Sequence, residues 1–253
     1  ATYFILNLKT YRTNFFMLLV FVSSIVVLII SGERMALFYG LFVIFFTFIF
    51  LVKKNFTTIL LFLTILFSSV LVITFNEDLK KRIVNQTLNE FGLTENKEHI
   101  IDYAVEKPFF NDVYLVSAAH QSYFKTAFNM FSDKPLIGHG IKSFRKYCSD
   151  VKFQANVESC ATHPHNIYLE ILSETGFFTF SIVLSLFLYL SYNLLLFLFK
   201  KRSFHKYELS LICCFMISLW PLATTGSFFN NWLSMIFFYP LGFYLAKKHN
   251  LKK

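Results

Sequence analysis

The sequence predicts an all-α polytopic membrane protein, with about six transmembrane helices and one large helical loop. Three observations predict it. Of 253 residues, 55% are hydrophobic and 20% aromatic, 35 of them phenylalanine, while 15% are charged; a soluble domain of this length does not need so much aromatic bulk. The apolar residues also fall into blocks that can cross a hydrocarbon core about 30 Å thick, which takes about 20 helical residues. The cations gather between alternate blocks.

Taken in order, the blocks run over residues 14–30, 35–52, 56–75, 177–199, 207–223 and 228–246. Pro221 and Pro240 stand where they would kink the last two. For the two shortest, a buried or re-entrant helix is the competing reading. Residues 1–8, "ATYFILNL", read as the tail of an earlier apolar helix, so the chain is expected to be the C-terminal part of a longer protein. With no positively charged n-region and no small-residue cleavage site, they do not read as a signal peptide. Three parts follow: a membrane part with three spans over 1–75, a large loop over 76–175, and a second membrane part with three spans over 176–253.

Net charge is +9. Lys9 and Arg12, then Lys53 and Lys54, then Lys200, Lys201, Arg202 and Lys206, and finally Lys247, Lys248, Lys252 and Lys253 all fall on one side if the spans alternate. The excess of positive charge makes that side cytoplasmic. Basicity is thereby accounted for without a nucleic-acid partner.

The opposite face receives the turn "SGER" at 31–34, the long loop, and the turn "TTGSFFNN" at 224–231. Within the loop, "EDLKKRIVNQTLNEFG" carries Leu79, Ile83, Leu88 and Phe91 at helical spacing, with Gly92 as a stop. A second helix is expected over 113–131, with Leu115, Ala119, Tyr123, Ala127 and Phe131 in register. "SDKPLIGHG" then reads as a turn built from Pro135, Gly138 and Gly140. Cys148 and Cys160 lie on the non-cytoplasmic side, where disulfides persist, and are expected to pair. Cys213 and Cys214, inside an apolar block, read as small hydrophobes.

None of the blocks has an Asp, Glu, Lys or Arg in its interior, and only Glu208 comes close, at an end. Ion-coupled transporters need such groups at mid-membrane, so a lipid-linked-sugar transporter without chemistry stands behind an enzyme. Titratable groups crowd instead at the outer interface: Arg34, Arg82, His120, His139, Arg145, His163, His165, Glu170 and Glu174. Arg34 has two readings, a snorkelling anchor or a bidentate clamp on phosphate oxygens. In "THPHN", Pro164 suits the first turn of a helix capped by Thr162 or His163. His165 would then lie in that first turn, where the dipole lowers its pKa and keeps it a proton acceptor near pH 7. Glu170 and Glu174, four apart, share a helical face. Two alternatives remain: a zinc site from Cys148, Cys160, His163 and His165, or histidines that only cap and pack.

Outside the cytoplasm there is no ATP or nucleotide sugar, so a bond-forming enzyme there needs a donor activated inside and carried across. Lipid-linked pyrophosphate sugars meet that need. Arginines would hold the pyrophosphate and a histidine would take a proton from the incoming hydroxyl.

"SGERMAL", "KPLIGHGIKSFR" followed by Cys148, "CATHPHNIYLEILSETG" and "PLATTGSFFNNW" together resemble the O-antigen ligase and O-antigen polymerase superfamily of bacterial inner membranes. The resemblance runs from about Ser31 to the end. It implies a multi-pass, GT-C-like glycosyltransferase whose large loop and active face are periplasmic. The implied donor is an undecaprenyl-diphosphate-linked glycan and the implied acceptor lipid A–core, with no metal or other cofactor. A polymerase would instead join lipid-linked repeat units. By similarity Arg34 contacts the donor pyrophosphate and His165, directly before Asn166, activates the acceptor. Arg145, His120, His163, Asn166, Glu170 and Arg82 complete the expected substrate-binding set. Relatives often carry a further arginine in the loop helix, where this chain has His120 and Lys125; Arg145 is the first candidate to replace it and Arg82 the weaker one. Relatives also often have a second glycine soon after Gly176, where this chain has Thr179.

Overall fold

A computed structural model describes residues 22–52, 56–90, 116–156 and 159–250. Among the described residues the chain is helical, without a strand. The expectations for residues 1–8, Phe91, Gly92 and Leu115 lie outside them. The chain forms two compact units.

The first unit holds the described part of Ala1–Thr87 together with Lys200–Ile217. Helices α1 (Val22–Ser31) and α2 (Arg34–Val52) are joined by Gly32 and Glu33, and α3 (Phe56–Phe75) follows α2. Ile25, Ile29, Ile44 and Leu79 form the buried core, with Leu37, Ile65, Ile73 and Ile83 against it. Gly32 turns the chain with φ +63, and a Cβ there would come within 3.1 Å of the Arg82 Cδ, so the arginine stem lies across the turn.

After α3 the expected single helix is interrupted. Asn76 Oδ1 accepts from the Leu79 N–H at 3.1 Å and starts the short α4 (Glu77–Lys80). A π segment, Lys81–Asn85, precedes α5 (Gln86–Glu90). Bonding from i to i+5 puts an extra residue into the turn and breaks the 3.6-residue register. Leu79 is buried, whereas Leu88 is exposed.

Helix α9 (Lys206–Ser218) stops short of the expected 207–223, so Pro221 does not kink it. The residue before a proline is biased out of the helical region, and the chain leaves the helix two residues ahead of that position.

The second unit holds the described part of Leu88–Phe199 with Ser218–Lys253. It contains α6 (Ala118–Asp133), α7 (Phe144–Tyr147), α8 (Ile167–Leu198) and α10 (Asn231–Asn250), the last with Pro240 inside it. Helix α6 begins at Ala118 rather than at 113, because Ser117 caps it: its Oγ accepts from the His120 N–H at 3.3 Å. Its buried side chains are Phe124, Ala127 and Met130 with Gln121, Ser122 and Thr126; of the expected register Ala127 is buried and Tyr123 packs partly buried against the same core. The loop 148–160 covers polar positions of α6. Asn156 Nδ2 donates to Ser122 Oγ at 2.7 Å, and the Ala155 N–H donates to Thr126 Oγ1 at 3.0 Å. A disulfide between Cys148 and Cys160, Cα atoms 4.9 Å apart, closes that loop. Cys148 is buried with Ala127, Met130, Phe144 and Phe153.

Helix α8 is broken at Gly176, whose φ of 78° and ψ of −172° are open to glycine almost alone. The break releases backbone groups, and the 135–140 turn takes them up. Ser173 and Glu174 carbonyls accept from the His139 and Gly140 N–H groups at 3.0 and 2.8 Å, and the Phe177 N–H donates to the Pro135 carbonyl at 2.8 Å. A Cβ on Gly138 would meet the Glu174 and Thr175 backbone, and one on Gly176 the Leu136 and Ile137 backbone. Two glycines thus let two backbones touch.

Among the described residues, α8 is long and apolar enough to cross a membrane by length and composition. Its apolar half begins at Phe177, and 22 residues at 1.5 Å each extend about 33 Å. Large apolar side chains face outward on several helices, among them Val27, Phe67, Phe178 and Trp232.

Candidate active site

The segment Cys160–Asn166 arrives at the start of α8. Sequence reasoning expected Thr162 or His163 to cap this helix, with His165 inside its first turn. The cap is instead Asn166, whose Oδ1 accepts from the Tyr168 and Leu169 N–H groups at 3.0 and 3.2 Å. Asparagine directly before an apolar run is among the strongest N-caps, and it wins here. Its Nδ2 donates to the Pro221 carbonyl at 2.6 Å, so both ends of the side chain are engaged within the fold.

His165 therefore stands just outside the helix, with a left-handed φ of 58°. That conformation costs a non-glycine residue roughly 1–2 kcal/mol and persists only where neighbours enforce it. The enforcement comes from the 221–228 strap. The Thr225 N–H donates to the His165 carbonyl at 3.0 Å. His163 Nε2 lies 3.1 Å from the Thr225 carbonyl. Farther along, Ser227 Oγ and the Phe228 N–H both donate to the Glu170 carboxylate.

These bonds decide the state of His163. A carbonyl only accepts, so Nε2 carries the proton; burial lowers the ring's pKa and keeps it neutral, so Nδ1, 2.9 Å from Thr162 Oγ1, accepts from that hydroxyl. His163 is a neutral imidazole with both nitrogens engaged. His165 differs: among the described residues no hydrogen bond occupies either of its ring nitrogens. Its contacts are rings, with His163 at 4.2 Å and His120 and Tyr123 each at 5.5 Å between centroids. His120 Nδ1 in turn lies 2.7 Å from Ser117 Oγ.

Burial, reinforced by the charges His163 and His120 would carry, pushes the His165 pKa down to about 4. The direction agrees with the expectation, but the cause is burial rather than a helix dipole, since His165 precedes the helix. His163 is lowered as well, chiefly by burial, against the opposing pull of the Thr225 carbonyl. Near neutral pH both rings are uncharged, and His165 is the one with open lone-pair capacity.

Glu170 and Glu174 do share a helical face, and both are buried. Each holds a different segment: Glu170 the strap, Glu174 the backbone N–H groups of Lys142 and Phe144 at 2.5 and 3.0 Å. Burial is the leading cause that raises both, Glu170 to about 7. Arg145 is exposed, and its positive charge lowers the pKa of His163, Glu170 and Glu174.

The second unit thus brings together His120, His163, His165, Asn166, Glu170 and Arg145. Arg34 and Arg82 belong to the first unit. There Arg34 opens α2, its Nη1 3.5 Å from Thr87 Oγ1. His139 is architectural: its buried Nε2–H donates to the Met130 carbonyl at 2.9 Å beside Asp133. The disulfide takes both thiols that a Cys–His zinc site would use.

Tyr123 was expected only as a helix register position, and Thr225 and Ser227 only as part of an outer turn; none was expected at the site. "TTGS" inside an apolar region was the available signal for the last two; their separation from the histidines hid the contact. The Thr225 hydroxyl is buried and has no partner among the described residues.

Residues 19–184 match the family model for O-antigen ligase. No curated protein and no solved structure matches the chain. The matched stretch carries Arg34, Arg82, His120, Arg145 and the whole 163–174 segment, while the strap lies beyond it. Proteins of this family are membrane proteins of glycosyltransferase type. With well over half of its residues matched, the chain belongs to the O-antigen ligase family.

Proposed function

We propose that this protein transfers a glycan from undecaprenyl diphosphate to lipid A–core at the periplasmic face of a bacterial inner membrane, using six spans and the 76–175 loop. The observation that carries the reading is His165: a neutral imidazole whose nitrogens take no hydrogen bond among the described residues, held in a strained backbone by the strap. The acceptor hydroxyl oxygen attacks the anomeric carbon and the bond from that carbon to the phosphate oxygen breaks. The hydroxyl proton passes to His165, and undecaprenyl diphosphate leaves with the bond's electron pair. A low pKa leaves His165 free to accept that proton at neutral pH.

Negative charge grows on the departing diphosphate, and arginine meets it with paired N–H donors. Arg34 is assigned to the donor phosphates by family resemblance. Arg145 is assigned as a second phosphate ligand, since its charge already acts on His163, Glu170 and Glu174. His120, Tyr123 and the Thr225 hydroxyl are assigned to acceptor sugar hydroxyls.

The test is a transfer assay in reconstituted membranes that offers lipid A–core and lipid-linked repeat units side by side. Glycan on lipid A–core is the expected product. Product only on lipid-linked units makes the protein a polymerase, and passage of donor without any new bond makes it a transporter. Arg34→Lys is expected to weaken donor use, because an ammonium cannot make the two-pronged contact; unchanged kinetics would return Arg34 to an interface anchor.

A further inference from the structure

The turn between α6 and α7 is built inside out for a protein in water. Its one imidazole, His139, points inward to Met130 and Asp133, while Leu136, Ile137 and Ile141 are 58, 76 and 62% exposed. The turn is also rigid, held by the backbone bonds to Ser173, Glu174 and Phe177 and by the Gly138–Gly176 contact. A fixed apolar protrusion of this kind marks an interaction surface.

The same bonds decide where it stands. Pro135 is bonded to Phe177 and Leu136 packs on Gly176, so the protruding residues are level with the first residues of the apolar half of α8. Phe177 and Phe178, exposed there, continue the apolar surface of the turn. Exposed Lys134 and Lys142 bracket it. Apolar side chains flanked by cations suit the boundary between acyl chains and phosphate headgroups, where lysine stems lie along the apolar zone and ammonium groups reach phosphate.

We propose that the Pro135–Ile141 turn is a membrane-interface anchor, with Leu136, Ile137 and Ile141 inserted into a phospholipid leaflet and Lys134 and Lys142 at its phosphates. This rests on the reading of α8 from Phe177 onward as a span. The anchor and the span together fix the level of Gly176 in the bilayer. The nine helical residues 167–175, about 14 Å long, lie between that break and the His165 segment.

The experiment uses the full chain in phospholipid nanodiscs, with Cys213→Ala and Cys214→Ala and the Cys148–Cys160 bridge intact. A nitroxide is placed at Ile137→Cys or, as a reference within α8, at Ile182→Cys. Each is read for collision with oxygen, which concentrates in lipid, and with a water-soluble nickel chelate. The anchor predicts that oxygen outcompetes the chelate at both sites. Lipid-like behaviour at 182 with free chelate access at 137 overturns the anchor and leaves the span standing. Chelate access at both overturns both. Shielding from both reagents at 137 puts the turn in a protein contact and also overturns the anchor.

Discussion

Two loops dock on the same nine residues at the start of α8, and they use their side chains in opposite ways. The 135–143 loop engages its polar groups with the fold: His139 on Met130, Gly140 on Glu174, and Lys142 and Phe144 through backbone N–H on the Glu174 carboxylate. The 160–166 loop is tied as firmly, through Asn166, His163 and the Thr225 bonds, yet among the described residues leaves the ring nitrogens of His165 without a hydrogen bond. Histidines recur in both loops, so residue type does not separate architecture from chemistry. Unspent bonding capacity in a rigid frame does.

The comparison is broken most severely at the glycine joint. Gly176→Ala would leave an L-residue in a backbone region reserved for glycine and drive a methyl into the Leu136 carbonyl. The expected loss of stability is at least about 3 kcal/mol, read as a large fall in thermal midpoint. Reduction of Cys148–Cys160 comes next, at roughly 2–3 kcal/mol for a loop of this length, with transfer per folded molecule retained. His139→Ala should cost about 1 kcal/mol for the lost bond to Met130 and leave turnover intact; a loss of turnover without a loss of stability would contradict its architectural role.

A further effect concerns Glu170 and depends on pH. Its folded-state pKa, about 7, lies above the ordinary 4.5, so the folded protein holds this proton more tightly than the unfolded chain. The stability it contributes is present below pH 4.5 and is lost as pH rises through 7. Glutamine reproduces the neutral acid, accepting from Phe228 and donating to Ser227. Glu170→Gln should therefore gain stability relative to wild type at pH 8 and match it near pH 4.5. A constant difference across that range would show that folding does not raise the Glu170 pKa.

Much of this was legible in the sequence where the determinants are local. The apolar block at 56–75 returns with the same ends, because nothing within it opposes a helix. The glycines of "KPLIGHG" are legible as turn residues, whereas the break at Gly176 and its contact with Gly138 are not. Three features were hidden for distinct reasons. The cap of α8 was expected at Thr162 or His163, and only the fold shows that Asn166 takes it. The π segment after Lys80 follows no residue pattern at all. The strap depends on backbone groups of Pro221, Thr225 and Phe228, more than fifty residues from the histidines, and a backbone carbonyl has no sequence signature.

The central claim is that His165, and not the fully engaged His163, takes the acceptor's proton. The most direct measurement is transfer by His165→Ala in reconstituted membranes, with donor binding measured on the same preparation. The account predicts a loss of about 10²–10⁴-fold in transfer with donor affinity unchanged. Transfer within a few-fold of wild type, or its loss together with donor binding, would contradict it.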